Sequence, residues 1–208
     1  MINLVWITPN AMDVIAYCAR VSNPANQNNS KTAPKLLKYL KKEGHFSPFE
    51  MASACMEITT TRDIARQILR HRSFSFQEFS QRYADPTEDL QFVTTREARL
   101  QDTKNRQNSI ETEDQELQNE WDRRQDMVRW SALTHYRWAL SKGIAKEQAR
   151  ALLPEGLIQS RLYMTGTLRS WMHFVELRGG NGTQKEHQQI ALQCKQILIE
   201  NGGDVWGD

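Results

Sequence analysis

The sequence has few of the features that mark secreted, disulfide-rich or metal-binding proteins. Among 208 residues there are only three cysteines, Cys18, Cys55 and Cys194, and no two of them form a C-x-x-C pair. An odd number of widely spaced cysteines argues against a disulfide framework or a zinc ribbon. Each cysteine falls within an apolar pattern, which favours a buried thiol. We therefore expect no structural metal.

Long apolar runs and a charge excess are missing as well. No run of about 18 apolar residues is available for a membrane span, and the N-terminal MINLVWITPN lacks the two regions of a secretory signal. We therefore expect a cytoplasmic protein with no membrane partner. The 27 Lys and Arg nearly balance the 25 Asp and Glu. This balance excludes a global basic field for nucleic acid, so any anion binding must be local.

Several well-known catalytic and phosphate-binding motifs are absent. The chain has no G-x-G-x-x-G after a predicted strand, no G-x-x-x-x-G-K-[ST], no H-E-x-x-H and no G-x-S-x-G. The glycine-rich stretch at 179–182 follows a predicted helix rather than a strand. We interpret it as a flexible connection and not as a phosphate loop.

Local patterns predict one α+β domain over residues 1–208. Apolar runs predict strands at Ile2 to Ile7 and at Met51 to Thr59. Apolar periodicity and capping signals predict helices at Met12 to Ala19, from Pro34 towards Gly44, around Ile64 to Leu69, at Trp121 to Leu140, from Lys146 to Pro154, at Thr167 to Leu177 and from the capping box at 183–186 to Asn201. A single helical turn is predicted at Ser47 to Glu50.

Two of these regions carry further expectations. The helix at Trp121 to Leu140 is expected to be amphipathic through Met127, Trp130, Leu133 and Trp138. The polar, acidic stretch from Gln101 to Glu120 is interpreted as a solvated helix or loop inserted outside the core.

The segment RHRSFSFQEFSQRY, residues 70–83, has the densest set of chemically useful side chains. Arg70, His71 and Arg72 lie where a predicted helix ends, and Glu78, Ser80 and Arg82 follow. A guanidinium binds phosphate through two parallel N–H bonds, and a hydroxyl and a carboxylate suit sugar hydroxyls or ring N–H groups. The aromatic rings of Phe74, Phe76, Phe79 and Tyr83 are available for stacking. Together these residues indicate a nucleotide or another anionic aromatic ligand.

Other interpretations of this segment stay open. Arg70 and Arg72 could complement the negative end of the preceding helix, with His71 as a satisfied neighbour, and each residue taken singly favours that interpretation. The segment could also be a basic, aromatic surface for single-stranded nucleic acid, although the near-neutral chain counts against it. The third alternative is a catalytically inactive, purely structural protein that keeps these residues.

Arg70-His71-Arg72, seven further residues and Ser80 resemble the RHR-x7-S signature of the flavin-dependent thymidylate synthases. Further matches in the family's order and approximate spacing are Gly44-His45, Pro48-Phe49-Glu50, Gln67, Ser75, Glu78, Arg82, Tyr83, Arg150, Arg169, His173 and Arg178. The sequence departs from the family at Gln77, Thr167 and His173, where asparagine is found in other members.

The resemblance implies a fold and a reaction. The fold is a homotetramer of α+β subunits, with a mixed sheet, flanking helices and FAD and dUMP held where subunits meet. The reaction is methylation of dUMP to dTMP, with carbon from 5,10-methylenetetrahydrofolate and reducing equivalents from NADPH through FAD. No nucleic-acid partner is expected.

The same resemblance implies site residues. FAD would contact Ser47, Arg70, His71, Arg72, Glu78, Thr167, Leu168, Arg169 and His173. The nucleotide dUMP would contact Gln67, Ile68, Leu69, Arg70, Glu78, Phe79, Ser80, Gln81, Arg82, Arg150 and Arg178, with His45 and Tyr83 near flavin and folate. The expected catalytic residues are Arg178, which would favour ionisation of the uracil N–H, and Ser80, which would position the nucleotide or act more directly.

Overall fold

The computed structural model describes residues 1–90 and 95–206. Its strands are β1 (Ile2–Ile7), β2 (Ser53–Thr61), β3 (Ser75–Glu78), β4 (Arg99–Gln101), β5 (Ser109–Glu111) and β6 (Gln159–Thr167). Its α-helices are α1 (Ala11–Ala19), α2 (Ala33–Lys42), α3 (Arg62–Ile68), α4 (Pro86–Asp89), α5 (Gln115–Ser141), α6 (Lys146–Ala149), α7 (Leu168–Arg178) and α8 (Lys185–Glu200). Short 3-10 turns lie at Pro24–Asn26, Ser30–Thr32, Ser47–Met51 and Arg150–Leu152.

The main sheet has four strands in the order β1-β2-β6-β3. Every pairing that the structure describes in it is antiparallel, so the expectation of a mixed sheet is wrong. Strand β6 runs in the direction opposite to β2. The start of β6, Gln159, pairs with the end of β2, Thr61, and the end of β6, Thr167, pairs with the start of β2, Ser53. Parallel neighbours would have required a crossover that returns the chain to the same end.

Two strands of this sheet were not foreseen from the sequence. In β6 the buried positions alternate, but Ser160 occupies one of them beside Leu162 and Met164. A polar residue in the buried register hides the period-two pattern. Strand β3 has only four residues and pairs with β6 from Ser75 opposite Thr165. This pairing fixes the 70–83 segment along the edge of the sheet.

The predicted helices α1, α2, α3, α7 and α8 are confirmed and cover one face of the sheet. The core combines their apolar residues with those of β2 and β6, among them Ile15, Leu37, Met56, Leu162 and Trp171. Several helices end at a glycine with positive φ, namely Gly44, Gly143 and Gly202, as the sequence predicts. The helical turn at Ser47–Met51 is also confirmed.

Helix α5 differs from its prediction in length and in orientation. It begins at Gln115 rather than Trp121, and its buried residues are Gln125, Ala132, Tyr136 and Ala139. Three of the residues chosen as its apolar stripe are largely exposed, Met127 at 55%, Trp130 at 71% and Trp138 at 55%. Apolar periodicity marks a face that avoids water, but it does not identify what covers that face.

The polar stretch around 101–120 lies outside the core, as expected, but its first half forms a small hairpin of β4 and β5. Ion pairs connect this region to α8, because Arg99 binds Glu186 at 2.6 Å and Lys185 binds Glu97 at 2.7 Å. The predicted capping box at 183–186 is wrong. The structure describes no side-chain capping bond at Gln184, which is the N-cap, and Glu186 is held by Arg99 instead.

Cys55 and Cys194 are buried thiols, as predicted, whereas Cys18 is only half-buried. Burial raises the pKa of the Cys194 thiol above its usual range, so this thiol is protonated and inert.

Gly166 in β6 is required by the close approach of Phe74. A Cβ at this position would lie 2.5 Å from the Cδ1 atom of Phe74, whose ring packs edge-on against Trp171. We expect Gly166→Val to lower the free energy of unfolding by about 1–3 kcal/mol, because the core ring must move. Urea denaturation measures this loss. Gly156→Val is the control, since nothing lies within 4 Å of a Cβ there; equal losses would contradict the packing argument.

Candidate active site

The structure joins the RHR loop to the end of helix α7. The Nε atom of Arg178 donates a hydrogen bond to Nε2 of His71 at 2.9 Å, across 107 residues of sequence. Because a guanidinium can only donate, Nε2 of His71 accepts, and the proton of the neutral ring lies on Nδ1. His71 is 9% exposed, and its ring meets Phe174 edge-on at 5.0 Å. His71 therefore fixes the guanidinium of Arg178 beside the RHR loop.

The imidazoles of His71 and His187 are both neutral over the ordinary pH range. Burial, followed by the charge of Arg178, lowers the pKa of His71 to about 4. Burial, followed by Arg178 and His71, lowers the pKa of His187 to about 3. The two rings lie edge to face with centroids 6.2 Å apart. The neutral His71 accepts the hydrogen bond of Arg178, and neither neutral ring repels the charge of the guanidinium.

These shifts predict an acid-sensitive stability. Free imidazoles titrate near 6.5, so between this value and about 4 the unfolded chain binds more protons than the folded one. The contribution of His71 is complete above 6.5 and is lost as the pH falls towards about 4. We expect the melting temperature to drop between about pH 7 and pH 5, and His71→Gln to reduce that slope. An unchanged slope in the variant would contradict the neutral, buried His71.

A second group of polar side chains links α3 to α8 beside this pair. Nε2 of Gln67 donates to Oε1 of Gln184 at 2.8 Å, and Oε1 of Gln67 lies 3.2 Å from Nδ1 of His187. Gln67 was predicted from the sequence, but Gln184 and His187 were not. His187 lies on the buried stripe of α8 with Ala191 and Cys194, so a histidine on an apolar face was the signal.

A cavity of about 380 Å3 is lined in part by Ser73, the residue that follows the RHR triplet. It is lined by Phe46, Glu50, Ser73, Arg169, Ser170, Met172, His173 and Glu176. Arg169 is ion-paired with Glu50, and the Ser170 hydroxyl donates to the Ser73 carbonyl at 3.2 Å. The predicted Arg169 and His173 thus share one cavity, while Ser73, Glu50 and Phe46 are additions from the fold.

Several residues that were predicted to contact FAD or dUMP make contacts within the protein instead. The Thr167 hydroxyl accepts from the Ser170 N–H at 3.2 Å and caps α7. The side chains of Leu168 and Ile68 are fully buried, and the Leu168 N–H already donates to the Ala52 carbonyl. The Ile68 carbonyl likewise already accepts from the His71 N–H. Leu69 is half-buried at the end of α3.

The side chain of Glu78, in the edge strand β3, is largely buried. It accepts from the Ser160 hydroxyl at 2.7 Å, and Arg62 lies 4.0 Å away. Phe79 donates its backbone N–H to the Arg161 carbonyl. The Nε2 atom of Gln81 is buried without a hydrogen-bond partner among residues 1–90 and 95–206. Ser160, which was not predicted, therefore orients the predicted Glu78.

The loop after β3 brings Arg82 to helix α6. Arg82 lies 3.3 Å from the carboxylate of Glu147, and the Nε atom of Arg150 donates to the Glu147 carbonyl at 3.2 Å. The Ser80 hydroxyl accepts from the Arg82 N–H at 3.4 Å, and Lys146 donates to the Tyr83 carbonyl. The predicted Arg82 and Arg150 therefore lie at one residue, Glu147, and Lys146 is a third cationic side chain nearby that was not predicted.

The remaining predicted residues lie on the surface. They are His45, Ser47, Arg70, Arg72 and Tyr83, the last with 78% exposure. Such side chains are accessible to ligands or to a second subunit. None of the helices within the described ranges has the length and apolar character needed to cross a membrane. Within the same ranges, no three His, Cys, Asp or Glu side chains group as metal ligands.

Comparison with known proteins finds relatives that match nearly the whole chain. Residues 3–201 match the family described as thymidylate synthase complementing protein. The chain is 50% identical over 190 residues to a probable flavin-dependent thymidylate synthase of Paramecium bursaria Chlorella virus 1, covering 91% of this chain and 86% of that protein. It is also 50% identical over 188 residues to a flavin-dependent thymidylate synthase of Synechocystis, covering 90% and 84%.

The fold has a solved counterpart. The UMP/dUMP methylase PolB from Streptomyces cacaoi, bound with 5-Br dUMP, superposes with a TM-score of 0.79 and 26% identity over 96% of this chain and 90% of that one. The matches over nearly the whole chain show that the chain belongs to the flavin-dependent thymidylate synthase family.

Proposed function

We propose that this chain is a flavin-dependent thymidylate synthase. It binds FAD and dUMP and methylates dUMP to dTMP. The carbon comes from 5,10-methylenetetrahydrofolate and the reducing equivalents from NADPH. The observation that carries this proposal is the bond between Arg178 and His71, since it joins the signature loop to the arginine expected at the uracil.

The residues beside the RHR loop fit a flavin. Aromatic cofactors need largely apolar walls with a few polar groups that fix their orientation. The cavity of about 380 Å3 offers Phe46 and Met172 as apolar walls and Arg169 and His173 as polar groups. Arg70, Arg72 and Ser47 are exposed nearby and would hold the phosphates. Bound FAD supplies the redox chemistry of the reaction.

Arg178 is proposed to activate the uracil ring. A fixed positive charge stabilises the anion formed when the ring N–H ionises, which makes the ring carbon a better nucleophile. His71 is suited to hold this guanidinium, because its Nε2 atom accepts from Arg178 and its ring is neutral. No cysteine nucleophile is required, in agreement with the buried thiols of Cys55 and Cys194.

The nucleotide phosphate is proposed to lie near Arg82 and Arg150. Both arginines contact Glu147, one through its carboxylate and one through its carbonyl. The ion pair of Arg82 is largely exposed, so it is weak and exchanges readily for a phosphate. Ser80, two residues before Arg82, would place its hydroxyl on the same nucleotide.

The test is the visible spectrum of the purified protein with FAD, before and after dUMP. We expect a flavin spectrum that stays with the protein through gel filtration, changes on addition of dUMP and supports dTMP formation with folate and NADPH. Absence of retained flavin and of a dUMP response would overturn the proposal. Steeply salt-dependent binding of an oligonucleotide would then favour the single-strand-binding interpretation.

The active unit is proposed to be a homotetramer. Helix α5 exposes Met127, Val128, Trp130 and Trp138, and Leu152, at 43% exposure, lines a shallow depression together with Met127 and Val128. An apolar patch of this kind marks an interaction surface. A second copy of the chain would bury it, and the exposed predicted residues could then meet a neighbouring subunit.

Trp130→Glu tests this surface, since Trp130 is 71% exposed. A buried, unpaired carboxylate opposes association, so we expect a smaller species by light scattering and loss of dTMP formation. Lys142→Glu, at the exposed end of α5, is the control with the same introduced group. A variant with the size and activity of the parent protein would exclude Trp130 from the interface.

A further inference from the structure

His187 is a buried polar residue that the proposed mechanism does not use. It lies in the first turn of α8 with 0% exposure, on a face otherwise made of Ile190, Ala191 and Cys194. Buried polar groups are nearly always hydrogen-bonded, because an unsatisfied one loses its bonds to water. The position of His187 therefore requires an explanation beyond packing.

The hydrogen bonds of Gln67 define the tautomer of His187. The amide nitrogen of Gln67 donates to Oε1 of Gln184, so the amide oxygen faces Nδ1 of His187 at 3.2 Å. An amide oxygen only accepts, so Nδ1 carries the proton and Nε2 does not. The Nε2 atom has no partner among residues 1–90 and 95–206. The side chains of His187 and Gln184 thus hold both ends of one amide.

The hydrogen bonds from Gln67 to Gln184 and His187 lie close to His71, which holds Arg178. Gln67 precedes Arg70 by one helical turn, and the His187 ring lies 5.7 Å from Phe174 and 6.2 Å from His71. Gln67 has one further amide N–H that these two bonds do not use. The direction of that N–H is fixed once the amide cannot flip.

We propose that His187 is a positioning residue of the active site, which fixes the Gln67 amide so that its second N–H binds the nucleotide. The inference rests on the proposed function, in which dUMP contacts Gln67. His187 acts through Gln67 and does not itself touch the nucleotide. The donor at Nδ1 is the feature that matters, and the neutral ring makes it a single, directional donor.

Two substitutions separate the two ring nitrogens. His187→Asn keeps an amide donor near the position of Nδ1, whereas His187→Gln places the amide near the position of Nε2. We expect His187→Gln to raise the KM for dUMP about tenfold with a much smaller change in kcat, because one neutral hydrogen bond is lost. We expect His187→Asn to stay close to the parent protein.

Gln184→Leu is a second variant outside the buried core position. It removes the acceptor for the Gln67 nitrogen, and we expect a rise in KM in the same direction. Gln189→Ala is the control, since Gln189 is exposed on the same helix. Melting temperatures and FAD content report any general damage.

The outcomes are distinct. Equal KM values for the Asn and Gln variants and the parent protein would overturn the inference, as would a normal Gln variant beside a defective Asn variant, because Nε2 would then be the important atom. If the parent protein itself shows no flavin and no dUMP response, the proposed function fails. If the parent responds and the variants do not differ from it, only the role of His187 fails.

Discussion

Replacement of Arg178 by alanine is expected to abolish dTMP formation while FAD stays bound. Arg178 supplies the positive charge proposed to stabilise the uracil anion, and His71 holds it through the bond at 2.9 Å. Loss of one preorganised group that stabilises developing charge lowers kcat by roughly 100- to 1,000-fold. The measurement is dTMP formation by the flavin-loaded variant, with FAD content read from its visible spectrum.

The controls for Arg178 use cations in different settings. Arg178→Lys keeps a charge but lacks the Nε–H that donates to His71, so we expect it to recover little activity. Arg66→Ala removes an exposed cation of α3 whose partner is Glu155, and its activity should be unchanged. An active Arg178→Ala protein would remove this guanidinium from the mechanism.

Replacement of His71 by alanine is expected to yield protein with little FAD. The signature histidine is proposed to contact the flavin, and the structure adds that its Nε2 atom anchors Arg178. Loss of contacts of this strength weakens binding by roughly 10- to 100-fold. We would measure FAD content after gel filtration and then the dissociation constant by titration. We also expect the response to dUMP to be lost, because Arg178 no longer has its acceptor.

His71→Gln separates these two roles. An amide oxygen at the position of Nε2 still accepts from Arg178, but the ring beside Phe174 is gone. We expect this variant to bind FAD poorly and, at saturating FAD, to respond to dUMP better than His71→Ala. Full FAD occupancy in both variants would contradict the flavin contact. Identical dUMP responses would contradict the anchoring of Arg178.

Much of the candidate site follows from the sequence because the signature is local. Arg70, His71 and Arg72 occupy one helix end, and Gln67 precedes them on the same helix. The sequence does not reveal that His71 meets Arg178, since 107 residues separate them. Nor does it predict Ser160 beside Glu78, or Gln184 and His187 beside Gln67. These contacts depend on which strands pair and on where α7 and α8 pack.

The fold likewise has features that the sequence predicts and features that it does not. Helices with an apolar stripe and a terminal glycine, such as α2 with Gly44, are determined by residues near one another in sequence. The sheet order is not, because the pairing of β2 with β6 joins residues about a hundred positions apart. Strand β3 exists only because β6 offers it an edge.

By itself the sequence determined the α+β class, the positions of most helices, the family resemblance and the arginine-rich segment, all of which depend on short-range spacing. Tertiary structure alone decided that the sheet is antiparallel, that the capping box at 183–186 gives way to the ion pair of Glu186 with Arg99, and that α5 buries Tyr136 and exposes Trp130. The physical reason is that burial and ion pairing are properties of distant partners. A hydrophobic pattern states only that some surface must be covered, and folding selects the surface that covers it.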